Sequence, residues 1–352
     1  MKKLVLLVSI TFLATNFLIA QNKKDSKTTN KAGFYSGVYR NYFKEAGYNQ
    51  AAIDQKVAQA YHDIFEGPNK VYFEVGDSMA YVSDLKNHDA RTEGLSYGMM
   101  IAVQLNKKDV FDRIWRWSKK YLQHSDGPRE GYFAWSINPK TMKKNSEGTA
   151  SDGELYFVTS LLFASNRWGD NTGIDYYHEA RRILDAMWSK DGTDGIYNII
   201  NTQHKQITFT PEGNNYNFTD PSYQLPAFFE VWALYANDGH AQFYRACADT
   251  ARAFLHRACS SPTGLNADKT HFDGTPIGTG KMQSAFRYDS WRVPMNIAMD
   301  YNWFGKDKNG RKIIPQEFSI FLNQKVLILL MTSLTWMAQN LNGFFLRAAF
   351  RN

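Results

Sequence analysis

Arg91-Thr92-Glu93-Gly94-Leu95-Ser96-Tyr97-Gly98-Met99-Met100 places a carboxylate and a glycine just ahead of an apolar run. Carboxylates beside a glycine or an aromatic also stand at Ser151-Asp152-Gly153-Glu154 and at Tyr288-Asp289-Ser290-Trp291-Arg292, each opening a segment of helical period. That period predicts helices over 50–65, 93–105, 108–123, 153–167, 174–188, 222–236, 239–258, 290–303 and 311–340, the last one broken. Loops rich in Gly, Asn and Asp separate them, among them Asp191–Gly195 and Gly274–Gly280. Residues 196–210 alternate enough for a short hairpin. No repeat is sharp at the level of single residues, yet the rhythm of helix, loop and helix is that of a solenoid or a barrel of paired helices. In a closed ring of hairpins the equivalent ends of the inner helices converge on one mouth, where Glu93, Asp152 and Asp289 would share a cleft. Singly, each carboxylate reads as a cap or a partner for the helix dipole. Three in one topological position read as a site.

The composition fits a globular chain of 352 residues, 43% hydrophobic and 21% charged, with no Gly/Ser tract to mark a linker. The formal charge of +7 would suggest nucleic acid until it is located. Six lysines against Asp25 put most of it in residues 1–32, and Lys325, Arg347 and Arg351 against Glu317 put the rest in 315–352. The body between is formally neutral and offers no footprint for a phosphate backbone, so a nucleic-acid partner is not expected. Aromatics make up 15% of the chain, which suits stacking on sugar rings and suits a large helical core as well.

Lys2 and Lys3, an apolar run from Leu4 to Ala20 and the polar stretch 21–32 read as a signal peptide followed by a polar leader, so export is expected. The run is short for a membrane span and is broken by Ser9, Thr11, Thr15 and Asn16, so no lasting membrane anchor is expected. On a single helix Cys247 and Cys259 would stand about 18 Å apart, too far for a disulfide, which leaves core packing as their role. His256 beside Cys259 does not complete a metal site, and no metal or cofactor is expected.

No phosphate loop, HExxH, CxxC or GxSxG motif competes with the carboxylates. Cleaving a glycosidic bond needs one carboxylic acid to protonate the leaving oxygen and a second carboxylate to attack or to activate water. A helix N-terminus lowers a carboxyl pKa, which suits a base and opposes an acid. Glu93, ahead of its apolar run, is placed for burial, and Asp152 would add a like charge that holds its proton. Asp289, flanked by Arg287 and Arg292, would stay ionised.

Residues 91–99 resemble the signature segment of glycoside hydrolase family 8, and within it the reducing-end xylose-releasing exo-oligoxylanases. The resemblance covers about 33–314, through Phe34-Tyr35, Tyr39-Arg40-Asn41, Tyr72-Phe73-Glu74-Val75-Gly76-Asp77, Gly131-Tyr132-Phe133-Ala134-Trp135, Asp152-Gly153-Glu154-Leu155-Tyr156-Phe157, Asp220-Pro221-Ser222-Tyr223 and Asp289-Ser290-Trp291-Arg292-Val293. It implies an all-α fold, an (α/α)6 barrel, and hydrolysis with inversion. It implies Glu93 as proton donor and Asp289 as the base that activates water. Asp152 would contact and distort the sugar at the cleavage subsite, and Tyr223 would help to hold the water. Trp135, Arg91 and Arg292 would contact sugar or support those that do, with core packing an equal reading for Trp135. The implied partner is a xylooligosaccharide or a related β-1,4-glycan. Endo-action on glucan, xylan or chitosan is the alternative within the family, and an inactive glycan-binding remnant is the alternative outside catalysis.

Past Ile314 the likeness stops. Phe318–Asn352 is rich in Leu, Phe and Met and free of acids, which reads as a frameshifted or truncated product, or else as a diverged C-terminus. The run Val326–Ala338 is too short and interrupted to span a membrane. A barrel lacking its last helices is expected to expose apolar surface. The resemblance also implies a late histidine that recognises the reducing-end sugar. None follows His271, so weakened preference for a free reducing end is expected.

Overall fold

Two kinds of helix alternate along the chain. In the computed structural model, which describes residues 32–259, 264–278 and 285–307, the first kind is buried on nearly every side. It comprises α4 (Thr92–Gln104), α6 (Ser151–Trp168) and α8 (Pro226–Tyr235), and α10 (Arg292–Phe304) continues their layer with one side open at Met295 and Ala298. In α6 every residue from Ser151 to Leu162 is buried, as an apolar helix must be when it lies inside a fold. The second kind is amphipathic: α5 (Lys108–Tyr121), α7 (Tyr176–Trp188) and α9 (Ala241–Ala258). In α9 the buried residues Tyr244, Cys247, Ala248, Ala251, Phe254 and Leu255 recur at helical spacing and form one stripe. α4 packs on α6, α6 on α8 and α8 on α10, while α5, α7 and α9 each cover an inner helix from outside. Short helices α1 (Gly33–Ser36) and α2 (Tyr42–Glu45) and the longer α3 (Gln50–Phe65) precede this arc.

The all-helical expectation leaves out a five-stranded antiparallel sheet, in the order β1 (Tyr72–Val75), β2 (Met79–Asp84), β3 (Asp89–Arg91), β4 (Ser136–Asn138) and β5 (Lys143–Ser146). β3 runs directly into α4, and its last residue Arg91 pairs with Ser136 on β4. The sheet therefore sets the start of α4 against the residues just before β4. The expected hairpin within 196–210 is β6 (Ile200–Asn201) paired with β7 (Gln206–Ile207).

A buried charge cluster ties the outer layer to the inner one. Arg252 of α9 donates to Glu230 of α8 and to both oxygens of Asp300 of α10, each at 2.8 Å. Cys247 and Cys259 are buried and unbonded to each other, as their spacing requires. His256 pairs with Asp307 at 2.7 Å. No helix among the described residues is long and apolar enough to cross a membrane. The expected leader (1–20, 21–32) up to residue 31, the expected helix 311–340 and the segment 315–352 lie outside the described residues.

Candidate active site

The N-terminal ends of α4 and α6 and the turn before α10 converge on a cleft of about 620 Å³. Glu93 and Asp152 are each the second residue of their helix. The capping positions Arg91 and Ala150 make no side-chain cap, so neither carboxylate stands where an N-cap would. One backbone segment sets the two helix starts in register. The Thr92 N–H donates to the Trp135 carbonyl at 3.0 Å, and the Trp135 N–H donates to the Gly148 carbonyl at 2.9 Å. Gly153 allows the close approach, since a Cβ there would lie 2.5 Å from the Thr92 Cβ.

Glu93 is half-buried at the cleft wall. Burial, and then the charge of Asp152, push its carboxyl up to about 8, against the backbone N–H groups that favour ionisation. Asp152 is 1% exposed, and burial raises its pKa even with Arg292 beside it. Its Oδ2 accepts from Arg292 Nη1 at 2.7 Å.

Asp289 is held differently. It lies in a single 3-10 turn, Tyr288–Trp291, and its Oδ2 sits 2.5 Å from Nη2 of Arg292. Arg292 is buried and reaches Asp152, Asp289 and the Tyr97 hydroxyl at once. Its guanidinium also lies 5.6 Å from the centre of the Tyr223 ring. Tyr288, just ahead of Asp289, has φ 45°, a left-handed conformation that costs a bulky L-residue energy. The arrangement thus offers a neutral carboxylic acid on one wall and an arginine-paired carboxylate on the other. Acid–base hydrolysis of an acetal needs that combination.

The sequence model of glycosyl hydrolases family 8 matches residues 80–328. The chain belongs to that family. This family 8 hydrolase is 43% identical over 284 residues to the reducing end xylose-releasing exo-oligoxylanase of Halalkalibacterium halodurans, a match covering 79% of this chain and 72% of that protein. It is 42% identical over 264 residues to the corresponding enzyme of Bifidobacterium adolescentis, covering 75% and 69%. A solved structure of the exo-oligoxylanase of Paenibacillus barcinonensis complexed with xylose aligns with a TM-score of 0.79 at 37% identity, over 84% of this chain and 78% of that one. The fold of the family 8 hydrolase is accordingly the (α/α)6 barrel, and the described helices form an arc of it.

Of the candidate residues in this family 8 chain, Glu93, Trp135, Tyr223 and Asp289 line the cleft. Asp152 and Arg292 are buried and joined to each other, Asp152 close enough for its charge to act on Glu93. Arg91 is absent from the cleft lining. It is paired with Asp84 and Asp89, and its guanidinium lies 5.2 Å from the Trp135 ring centre. Trp135 is half-buried and lines the cleft, with the Arg91 guanidinium against its ring.

The cleft also holds residues that sequence reasoning did not single out. Asp220 is 1% exposed and lines it; burial and the charge of Asp289 push its carboxyl well up. Its Oδ1 accepts the Ser222 N–H at 2.7 Å, which is the capping duty that Asp before Pro-Ser suggests. Asp268 is raised by burial and lies 3.6 Å from Arg287, and Lys269 sits 4.0 Å from the centre of the Phe209 ring. A reciprocal backbone pairing of Thr219 with Thr270 brings that loop to the site, and no local pattern announces it.

Proposed function

We propose that this enzyme hydrolyses β-1,4-xylosidic bonds of xylooligosaccharides with inversion, releasing xylose from the reducing end. The observation that carries the reading is the pair of unlike carboxyls at one cleft, Glu93 kept neutral by burial and Asp152, and Asp289 ion-paired to Arg292. The choice of xylose chains rests on the exo-oligoxylanases to which the chain is similar. Glu93 gives its proton to the glycosidic oxygen as the bond to the anomeric carbon breaks. Asp289 takes a proton from a water that attacks that carbon on the opposite face. Tyr223 helps to hold this water, Asp152 contacts the sugar at the cleavage subsite, and Trp135 offers a stacking face with Arg91 behind it. Arg292 fixes the orientation of Asp152 and Asp289. The leader reading makes this an exported enzyme, which N-terminal sequencing of secreted protein would test.

The test is product analysis on xylotriose, cellotriose and chitotriose, with proton NMR of the first product. Xylose and xylobiose are expected, with the new reducing end first appearing as the α-anomer. Cleavage of glucan or chitosan oligomers with xylotriose untouched would overturn the substrate. A β-anomer first would overturn inversion, which requires the Glu93 and Asp289 carboxyls to stand roughly 6.5–9.5 Å apart with water between them. Calorimetric binding without turnover would identify a glycan-binding remnant. Comparing xylotriose with xylotriitol measures reducing-end preference, and a weakened preference is expected.

A further inference from the structure

Between the two helices that carry Glu93 and Asp152 runs the segment Phe133–Trp135, and its backbone is held from several sides. The Phe133 N–H donates to Oε1 of Glu154 at 3.0 Å. The Phe133 carbonyl accepts from the Thr149 hydroxyl at 3.2 Å. The Ala134 N–H donates to Leu122, the Trp135 N–H to Gly148, and the Trp135 carbonyl accepts from Thr92. Of these partners Glu154 alone is an ionisable side chain. It is fully buried, and its Oε2 has no hydrogen-bond partner among the described residues.

Glu154 stands two residues after Asp152 on α6 and grips Phe133; two residues further on, Trp135 grips Thr92, the neighbour of Glu93. The helix of one carboxylate thus holds the segment that holds the helix of the other. We propose that Glu154 is a positioning residue, which sets the spacing of Glu93 from Asp152 by fixing Phe133. The inference rests on the reading of Glu93 as the acid. The titratable groups that face Glu154 are Asp152 on its own helix and Glu93 across from it, and the Phe133 N–H faces it from the segment between. Burial pushes its carboxyl well above the usual range, which favours the neutral form. The grip on Phe133 needs an acceptor oxygen and no charge. Its role is mechanical.

The experiment compares Glu154→Gln and Glu154→Leu in the full chain, on xylotriose and on an aryl xylobioside with an activated leaving group. The amide oxygen of Glu154→Gln still accepts the Phe133 N–H, so its rates and the alkaline limb of its pH profile should match the parent enzyme. Glu154→Leu leaves that N–H without an acceptor, and kcat on xylotriose should fall about 10- to 100-fold as the acid loses its alignment. The activated substrate needs little protonation and should be spared. Equal slowing of both substrates by Glu154→Leu would show a general loss of structure and overturn the proposal. If Glu154→Leu does not fold, Glu154→Gln decides: a displaced alkaline limb or a slowed xylotriose reaction means that Glu154 acts by charge or proton transfer, which overturns it too. Glu93→Ala, measured alongside, separates the two levels, since equal slowing of both substrates there removes the acid reading itself.

Discussion

The two walls of the cleft are built on different physics. The wall of Glu93 and Asp152 is fixed by backbone hydrogen bonds through Trp135 and by a glycine contact between two helices. The wall of Asp289 is one helical turn behind a strained tyrosine, oriented by a buried guanidinium. Backbone bonds and steric contact hold a position over a wide range of pH and salt. An ion pair holds a position only while both partners are charged, although burial of Arg292 protects it from screening. On the proposed mechanism the difference suits two tasks. The acid wall must keep a proton in an apolar setting, whereas the base wall must keep a carboxylate charged and open to water.

The largest expected effects come from removing each wall's own carboxylate. Glu93→Ala should slow xylotriose cleavage by about 10²–10⁴-fold and spare activated aryl substrates, whereas Asp289→Ala should lose both. If Glu93→Ala slows both alike, Glu93 positions sugar and the contrast between the walls collapses. Next comes the guanidinium. Arg292→Met leaves Asp152 buried beside no cation, and unfolding by denaturant should show a loss of about 3 kcal/mol together with little residual activity. Full stability in that variant would mean that the base wall is not held by charge.

Gly153→Ala probes the acid wall. The added methyl would press on Thr92, and about 2 kcal/mol of stability should go, with a larger loss in kcat than in binding. A variant as stable as the parent would show the helix contact to be looser than drawn. The smallest effect is that of pH. Burial and Asp152 raise Glu93 from 4.5 to about 8, so kcat/KM should fall as pH rises through about 8. The folded state binds this proton more tightly than the unfolded chain, so its stabilising contribution is complete below about 4.5 and is lost as pH rises toward 8. Glu93→Gln should remove that part of the decline, which denaturant titrations at several pH values would show.

The helices were largely legible because each is long enough to display its period. The expected helix 50–65 is Gln50–Phe65, and 93–105 is Thr92–Gln104. The sheet was not. β3 and β4 have three residues each and β5 is Lys-Lys-Asn-Ser, too short or too polar for alternation to stand out. What makes them strands is pairing across the chain, as between Ala90 and Ile137. The same divide runs through the site. Glu93, Asp152 and Asp289 share a local signature at element starts, so sequence alone groups them. Asp220 does a cap's work and reads as a cap, and Asp268 and Lys269 arrive by a distant backbone pairing. The glycine at 153 was visible beside Asp152, but its reason lies in Thr92, 61 positions earlier on another helix.

The burial of Glu93 beside Asp152 has one more consequence, for what happens between one bond cleavage and the next. On the proposed mechanism each turnover leaves a proton on Asp289 and a negative charge on Glu93, the reverse of the starting state. Burial and the charge of Asp152 then draw a proton back onto Glu93, while the ion pair to Arg292 keeps the Asp289 carboxyl in place. The total charge of the two walls is the same before and after, so solvent carries the proton across with no net charge to accommodate. The buried wall reloads its own acid.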